Sequence, residues 1–255
     1  MSNQPALIQS FRELHEQGNP LVLYNIWDPG SAKAVSKAGA KALATGSAPV
    51  AMAQGFTDGE KFPFDMALAN VERIMDAVEL PVTMDLESGY GPDVSAIEKT
   101  VKAAVSKGIV GFNFEDQVVG GEGLYDIATQ TDRVAAARKA ADSVSGSPFL
   151  NARTDIFLKA KPDAHTDSML SEAIERAQAY KNVGADGFFA PGLADEKLIE
   201  RLCKEVDLPV NIIALPGVPD KSVLSKLGVA RISYGPVPYL NMMKALGEKA
   251  SEAFS

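Results

Sequence analysis

The chain has 255 residues, of which 46% are hydrophobic and 23% charged, with a formal net charge of −8. A chain of this length buries a core of its own without staples, and its single cysteine, Cys203, excludes an internal disulfide and suits a reducing compartment. The acidic balance has the wrong sign for nucleic acid or an anionic lipid surface, and no apolar stretch reaches the length of a membrane span. Residues 1–9 lack the charged and apolar regions of a signal peptide. The expectation is therefore a cytoplasmic protein with no nucleic-acid or membrane partner.

Along the chain, short runs rich in β-branched residues alternate with helical patterns. After a leading helix that carries His15, LVLYN at 21–25 predicts the first strand. Asp28 and Pro29 then read as N-cap and first helical residue of a helix that runs to Lys37 and stops near Gly39. KALAT at 41–45 predicts the second strand and is followed by a long connection from Gly46 to Pro63. Val71, Ile74, Met75 and Val78 recur at helical spacing before PVTMDLE at 81–87, the third strand. Ile97, Val101, Ala104 and Val105 do so before IVGFNFE at 109–115, the fourth. A second long connection runs from Asp116 to about Thr129. PFLNART at 148–154 follows, then Ile174, Ala177, Ala179 and Tyr180 on a helix, and DGFFA at 186–190. Cys203 lies on a helical stripe with Ile199 and Val206 before PVNIIA at 209–214, and VARISYG at 229–235 closes the series. The steps Gly39-Ala40, Gly108-Ile109, Gly184-Ala185 and Gly228-Val229 read as helix C-caps leading into strands. Eight strands with crossover helices and no internal shift in composition predict a single (β/α)8 barrel domain over 1–255.

Barrel chemistry sits at the carboxyl ends of the strands. Residues two apart in a strand share a face, so Asp85 and Glu87 are expected to point together at the end of the third strand, with Glu115 and Asp116 closing the next. Two carboxylates about 5 Å apart repel by roughly 3 kcal/mol at an effective dielectric of 20. Protonation, an arginine or a cation must relieve that. All-oxygen donors favour Mg²⁺ or Mn²⁺ over zinc, while a solvated strand end and a helix cap are the plainer readings. Arg153 in NARTD suits a carboxylate or phosphate held bidentately, or an internal pair with Glu115 or Asp155. Asn211 is a hydrogen-bonding group for a second carboxylate, or one that only satisfies backbone. The small residues Gly46, Ser47 and Ala48 make an anion-binding turn or an ordinary loop start, and Asp58 in GFTDGE is a loop acid with turn character. The only two histidines, His15 and His165, lie away from strand ends, which excludes a serine triad or a histidine zinc site. Cys203 reads as core, and GGEG at 120–123 is not a phosphate fingerprint.

Taken together, NIWDPGSAKAVSKAGAKALATGSAPVA, LPVTMDLESGYG, VGFNFED, LNARTD, AYKNVGADGFFAPG and PVNIIALPG resemble the phosphoenolpyruvate mutase/isocitrate lyase superfamily over nearly the whole chain. The resemblance implies that Asp85 binds Mg²⁺ directly, that Glu87 and Glu115 act mostly through metal-bound water, and that Asp58 has a similar role. It implies that Arg153 grips a substrate carboxylate, that Gly46, Ser47 and Ala48 bind the other end of an α-keto acid, and that Asn211 matches a substrate-binding asparagine of some lyases. It also implies an enolpyruvate-like intermediate stabilised by metal and arginine, and a homotetramer that exchanges its last helix, expected here over 237–252.

The lyase branch carries a Lys-Lys/Arg-Cys-Gly-His loop and the mutase branch a Lys and an Asn in the same loop, with a histidine after the sixth strand. This chain has VVGGEGLYD in the loop and Ala190-Pro191 after the strand. A Mg²⁺-dependent lyase or decarboxylase of a small 2-oxo or 2-hydroxy dicarboxylate is one expectation. Phosphonomutase or phosphonopyruvate hydrolase chemistry is a second, and a non-catalytic carboxylate-binding barrel a third. The glycine-rich loop at 116–128 is expected to gate the site.

Overall fold

In the computed structural model, which describes residues 4–255, the alternation of runs becomes a ring of parallel strands inside a ring of helices; the first three residues of the stretch inspected for a signal peptide lie outside that description. A leading helix α1 (Gln4–Glu13) precedes β1 (Leu21–Leu23), α2 (Pro29–Lys37), β2 (Leu43–Ala44), α3 (Ser47–Ala53) and α4 (Phe64–Ala77). Next come β3 (Val82–Asp85), α5 (Val94–Ser106), β4 (Gly111–Glu115), α6 (Ile127–Asp142) and β5 (Phe149–Arg153). The chain ends with α7 (Asp167–Asn182), β6 (Gly187–Phe189), α8 (Glu196–Glu205), β7 (Val210–Ile213), α9 (Lys221–Lys226), β8 (Arg231–Ser233) and α10 (Val237–Phe254).

All eight expected strands form, each shorter than its apolar run. They pair in parallel in the order β1-β8-β7-β6-β5-β4-β3-β2, and a bridge between Ile26 and Thr45 joins β1 to β2 and completes the circle. Asn25 reinforces that seam: its amide nitrogen donates to the Thr45 carbonyl, and its amide oxygen accepts from the backbone of Tyr234 and Gly235. Asp28 caps α2 as expected, and aspartates also cap α5, α6, α8 and α9. Gly39, Gly108, Gly184 and Gly228 all take positive φ, the left-handed turn that ends a helix before a strand.

Two elements are absent from the sequence reading, a short 3-10 turn at Pro162–Ala164 and the helix α3. The 46–63 connection, expected as loop, spends its first part as a helix whose N-cap is Gly46.

Strand periodicity sorts side chains cleanly. Val82, Met84, Phe112, Phe114, Leu150, Ala152, Phe188, Val210, Ile212 and Ile232 turn outward into the core beneath the helices. The alternate positions fill the lumen. At its amino end Leu21, Leu23, Ala44 and Phe149 pack with Ile8 and Phe11 of α1, which plugs the floor. His15 stacks on Phe149 there, with ring centroids 4.1 Å apart. Above them lie Asn113, Asn151, Asn211, Arg231 and Ser233, all buried, and then the charged residues of the mouth.

Two glycines make room for this filling. A Cβ on Gly111 would stand 2.7 Å from the Phe149 carbonyl oxygen, and one on Gly187 would stand 2.8 Å from the Phe149 ring and the Asn151 amide oxygen.

The last helix behaves differently from the others. Only Pro238 of α10 is buried, and Leu240, Met242 and Leu246 are at least half exposed. A groove of about 830 Å³ lies at its root, lined by Leu14, Val22, Trp27, Val35 and Met242 among others. Val22 is the outward residue of β1, so the groove sits where a barrel's closing helix would cover that strand.

Gly111→Ala is expected to destabilise the protein by about 2 kcal/mol, because the methyl group meets backbone that cannot move aside. Urea unfolding of the variant measures this, and a midpoint equal to that of the parent protein would contradict the packing described.

Candidate active site

The carboxyl ends of β3, β4 and β5 place Asp85, Glu115 and Arg153 on adjacent strands, all turned inward. Asp85 is aligned with Asn113, and Glu115 is paired in register with Arg153. Arg153 Nη1 contacts Glu115 Oε2 at 2.8 Å, while its Nε and Nη2 donate to the two oxygens of Asp155 at 2.6 and 2.9 Å. The internal pair with Glu115 or Asp155 considered above is thus made with both acids at once. Burial works against the charge of Arg153, but the two acids together hold its pKa well above the usual guanidinium value.

Glu87 does not continue the strand. β3 ends at Asp85, and Glu87 takes φ 49° in the turn that follows, so the shared strand face expected for the two acids is replaced by a bend. Its carboxylate reaches across to the 58–60 loop. Oε2 accepts from the backbone N–H of Gly59 at 2.9 Å and of Glu60 at 2.8 Å, and Oε1 accepts from the Tyr90 hydroxyl at 3.2 Å. In return the Tyr90 N–H donates to Glu60 Oε1 at 2.8 Å. The two loops clasp each other.

Asp85 keeps one oxygen near the Ser47 N–H at 3.3 Å, and its own N–H donates to Thr45 Oγ1 at 3.1 Å. Ser47 therefore sits at the first turn of α3, beside Asp85, with Gly46 as N-cap and Ala48 in the same turn. The Ser47 side chain lies near Asp58 and favours its charged form, so α3 and the 58–60 loop face the same point.

The electrostatics follow from crowding. Burial, then Asp58 and Asp85, push the Glu87 carboxyl up to about 8. Burial and Asp85 raise Asp58, against the help of Ser47 and Arg153. Burial raises Glu115 despite the Arg153 contact, with Asp155, Asp85 and Glu87 adding to it. These acids share a surplus of negative charge that a hard cation relieves, and every donor is an oxygen, which fits Mg²⁺ or Mn²⁺. Among the described residues no three such side chains close into a cage around a point. The arrangement suits a cation held at one carboxylate, with the others reaching it through water.

Asn211 lies deeper than a ligand would reach. It is fully buried; its amide nitrogen donates to the Ile212 and Arg231 carbonyls, and its oxygen accepts from Asn151 and Ser233. With its hydrogen-bonding capacity spent inside the lumen, it holds no group free for a second carboxylate, and the substrate-contact reading gives way to the structural one.

The 116–128 loop is also more constrained than its glycines suggest. Asp116 is fully buried, accepts from Arg176 at 3.1 Å and from the Asp155 N–H at 3.0 Å, and its carbonyl accepts from the Tyr125 N–H at 2.8 Å. Arg176 also donates to the Tyr125 carbonyl, and α6 begins at Ile127. Between these anchors lies the segment 117–124, itself closed by a bridge between Gln117 and Leu124.

Several contributors were invisible in the sequence. Arg133 of α6 donates to the Ser88 carbonyl at 2.6 Å and to the Pro92 carbonyl at 3.0 Å, and lies 4.2 Å from the Tyr125 ring centroid. Gln130 donates to the Glu115 carbonyl at 3.0 Å. Both belong to a helix whose polar residues look like solvent positions in one dimension. Tyr90 stood inside the DLESGYG run and was the one such group a motif could have indicated.

Comparison with known proteins agrees with this geometry. Residues 11–254 match the model of the phosphoenolpyruvate phosphomutase family. A Burkholderia cenocepacia J2315 protein provisionally classed as a phosphonomutase superposes with a TM-score of 0.95 at 43% identity, over 98% of this chain and 99% of that one. The uncharacterised protein Rv1998c of Mycobacterium tuberculosis H37Rv is 34% identical over 230 residues, 90% of this chain and 83% of its own. The 2-methylisocitrate lyase of Escherichia coli K12 is 26% identical over 254 residues, 97% of this chain and 83% of that enzyme. A (β/α)8 barrel with this mouth and these matches belongs to the phosphoenolpyruvate phosphomutase family, within the phosphoenolpyruvate mutase/isocitrate lyase superfamily.

Proposed function

We propose that the protein is a Mg²⁺-dependent lyase or decarboxylase of a small 2-oxo or 2-hydroxy dicarboxylate, working through an enolpyruvate-like intermediate. The observation that carries this reading is the arginine set among crowded acids at the mouth. Asp85 is the direct metal ligand in this proposal, and Glu87 and Glu115 contribute through water. The ties of Glu87 to Gly59, Glu60 and Tyr90 suit that outer role. When bound, the cation supplies positive charge where the substrate's oxygen becomes negative.

The chain's own groups do the rest. Nε and one hydrogen on each terminal nitrogen of Arg153 are engaged with Asp155 and Glu115, and the remaining two N–H groups are left to hold a substrate carboxylate. Glu115 and Asp155 fix the plane of that fork, which is what orientation of the carboxylate requires. The first turn of α3, Gly46 to Ala48, offers backbone N–H groups to the far end of the keto acid. Asp58, exposed at the rim and set near Asp85, is placed to accept or pass a proton at its carboxyl oxygen. The 117–124 segment closes over the substrate and excludes water.

Cleavage of a P–C bond is the second reading, favoured by the name given to the 43%-identical relative. A phosphonate calls for extra cationic contacts, and residues 117–124 contain no Lys, Arg or His.

The protein with Mg²⁺ is expected to release pyruvate from oxaloacetate or from a substituted malate faster than it releases phosphate from phosphonopyruvate, and Asp85→Ala is expected to lose at least a hundredfold in rate. Turnover unaffected by that substitution would remove the metal assignment. Tight oxalate binding without turnover on any of these substrates would favour a carboxylate-binding barrel.

The raised carboxyl of Glu87 makes a separate demand. Folded, it keeps its proton up to about 8, whereas the unfolded chain releases it near 4.5, so the metal-free protein loses stability as pH rises through that window. Mg²⁺ removes the repulsion, so the Tm gain on adding it should grow from pH 5 to pH 8. An equal gain at both ends would count against the cluster as its binding site.

The small-molecule chemistry sits in an assembly. Because α10 leaves the groove at its root uncovered and carries its apolar residues outward, we place it in the matching groove of a second copy, in a homotetramer. Leu240→Asp combined with Leu246→Asp should shift the mass in solution to the monomer, measured by light scattering. A monomeric parent protein, or an oligomer indifferent to both changes, would refute the exchange.

A further inference from the structure

Barrel lumens are ordinarily filled by layers of branched apolar side chains. The layer under this mouth holds instead an arginine and a row of amides. Arg231 turns inward from β8 and is 1% exposed. Its Nη2 donates to the Asn113 amide oxygen at 3.2 Å, while Nε and Nη1 meet no acceptor of the protein. Arg153 above it is matched by two acids, but Arg231 makes no salt bridge among the described residues.

A buried charge without a partner is expensive. Burial pulls Arg231 down to about 9, so it remains a cation at neutral pH, and Asp85 at the mouth is the acid whose charge reaches it. Below it, burial and then Arg231 itself push His15 down to about 3, so the floor adds no second charge. Nor is Arg231 needed to satisfy its one neighbour, because the Asn113 oxygen also accepts from Asn151 at 2.9 Å.

The geometry points to Arg231 as a positioning residue: a fixed positive charge in the layer beneath the mouth that draws the anionic substrate in through space, without touching it. The inference rests on the proposed role of the mouth as a site for a metal-bound carboxylate. Field lines from a charge enclosed in low-dielectric walls leave by the open end, where the ligand enters. Coulomb attraction is proportional to ligand charge, so the effect has a signature that packing lacks.

The test uses the full chain saturated with Mg²⁺, comparing the parent protein with Arg231→Met by calorimetric titration of oxalate, a dianion, and pyruvate, a monoanion. The variant is expected to bind oxalate about tenfold more weakly and pyruvate about threefold more weakly, since the loss follows charge. It is also expected to melt no lower than the parent, because a buried unpaired charge has been exchanged for an apolar chain of similar reach. Equal losses for both ligands, unchanged affinities, or a variant that melts well below the parent or fails to fold would each overturn the inference. If the parent itself binds neither ligand with Mg²⁺, the reading of the mouth fails first, and that result is recognisable before the variant is made.

Discussion

Crowded negative charge at the ends of β3 and β4 is the constraint around which this molecule is arranged. Glu87, Glu115 and Asp155 are buried beside the half-buried Asp85 and the exposed Asp58, with Arg153 as the only guanidinium directly against them among the described residues. Such a cluster folds only if each acid finds donors. Glu87 takes two backbone N–H groups and a tyrosine hydroxyl; Asp155 takes both arms of Arg153's fork. The loops thus owe their shapes to the acids, and not the reverse.

Support for those loops comes from the helix ring. α6 reaches inward with Gln130 to the end of β4 and with Arg133 to the turn that carries Glu87, while the same Arg133 stacks on Tyr125 at one end of the gate. α7 supplies Arg176, which holds Asp116 and the Tyr125 carbonyl at the two ends of 117–124. Both cations are buried and hydrogen-bonded on several sides, conditions under which removal of one partner costs far more than at the surface. Two such anchors fix the ends of the 117–124 segment, so its position is set by the helix ring and not by the acids beneath it.

How much of this was legible in the chain differs by level. Strands announced themselves through apolar runs and through glycines at helix ends, which obey local steric rules. The helix α3 did not: SAPVAMA has no side-chain cap and too few residues to show a period. The placement of Glu87 went astray because period-two alternation holds only while the strand lasts, and the chain turns at Glu87, just past the end of β3 at Asp85. Asn211 stayed between two readings for another reason. A polar residue in a buried strand signals a partner, but the sequence does not say whether that partner is a ligand or the neighbouring Asn151. For Arg153 both alternatives had been stated, and three of its N–H groups proved to be engaged internally. Long-range partners such as Arg133 with Ser88 carry no local signal at all.

Polarity rises through the lumen from floor to mouth, and this gradient separates what the barrel determines from what its loops determine. Leu21, Leu23 and Phe149 seal the floor against α1; the asparagines of β4, β5 and β7 form a hydrogen-bonded middle; the acids and Arg153 crown it. Each layer insulates the next, so the charges at the top lie in a medium of low dielectric yet keep their donors, the condition under which fixed charges act most strongly on a developing anion. Groups built on strands in this way are rigid, held by the sheet and not by the loops. The loops above them vary more freely than the strands, because their backbone runs over the surface. A barrel can therefore hold its acids and its arginine in place whatever the loop above them carries, and here the 117–124 segment carries no Lys, Arg or His.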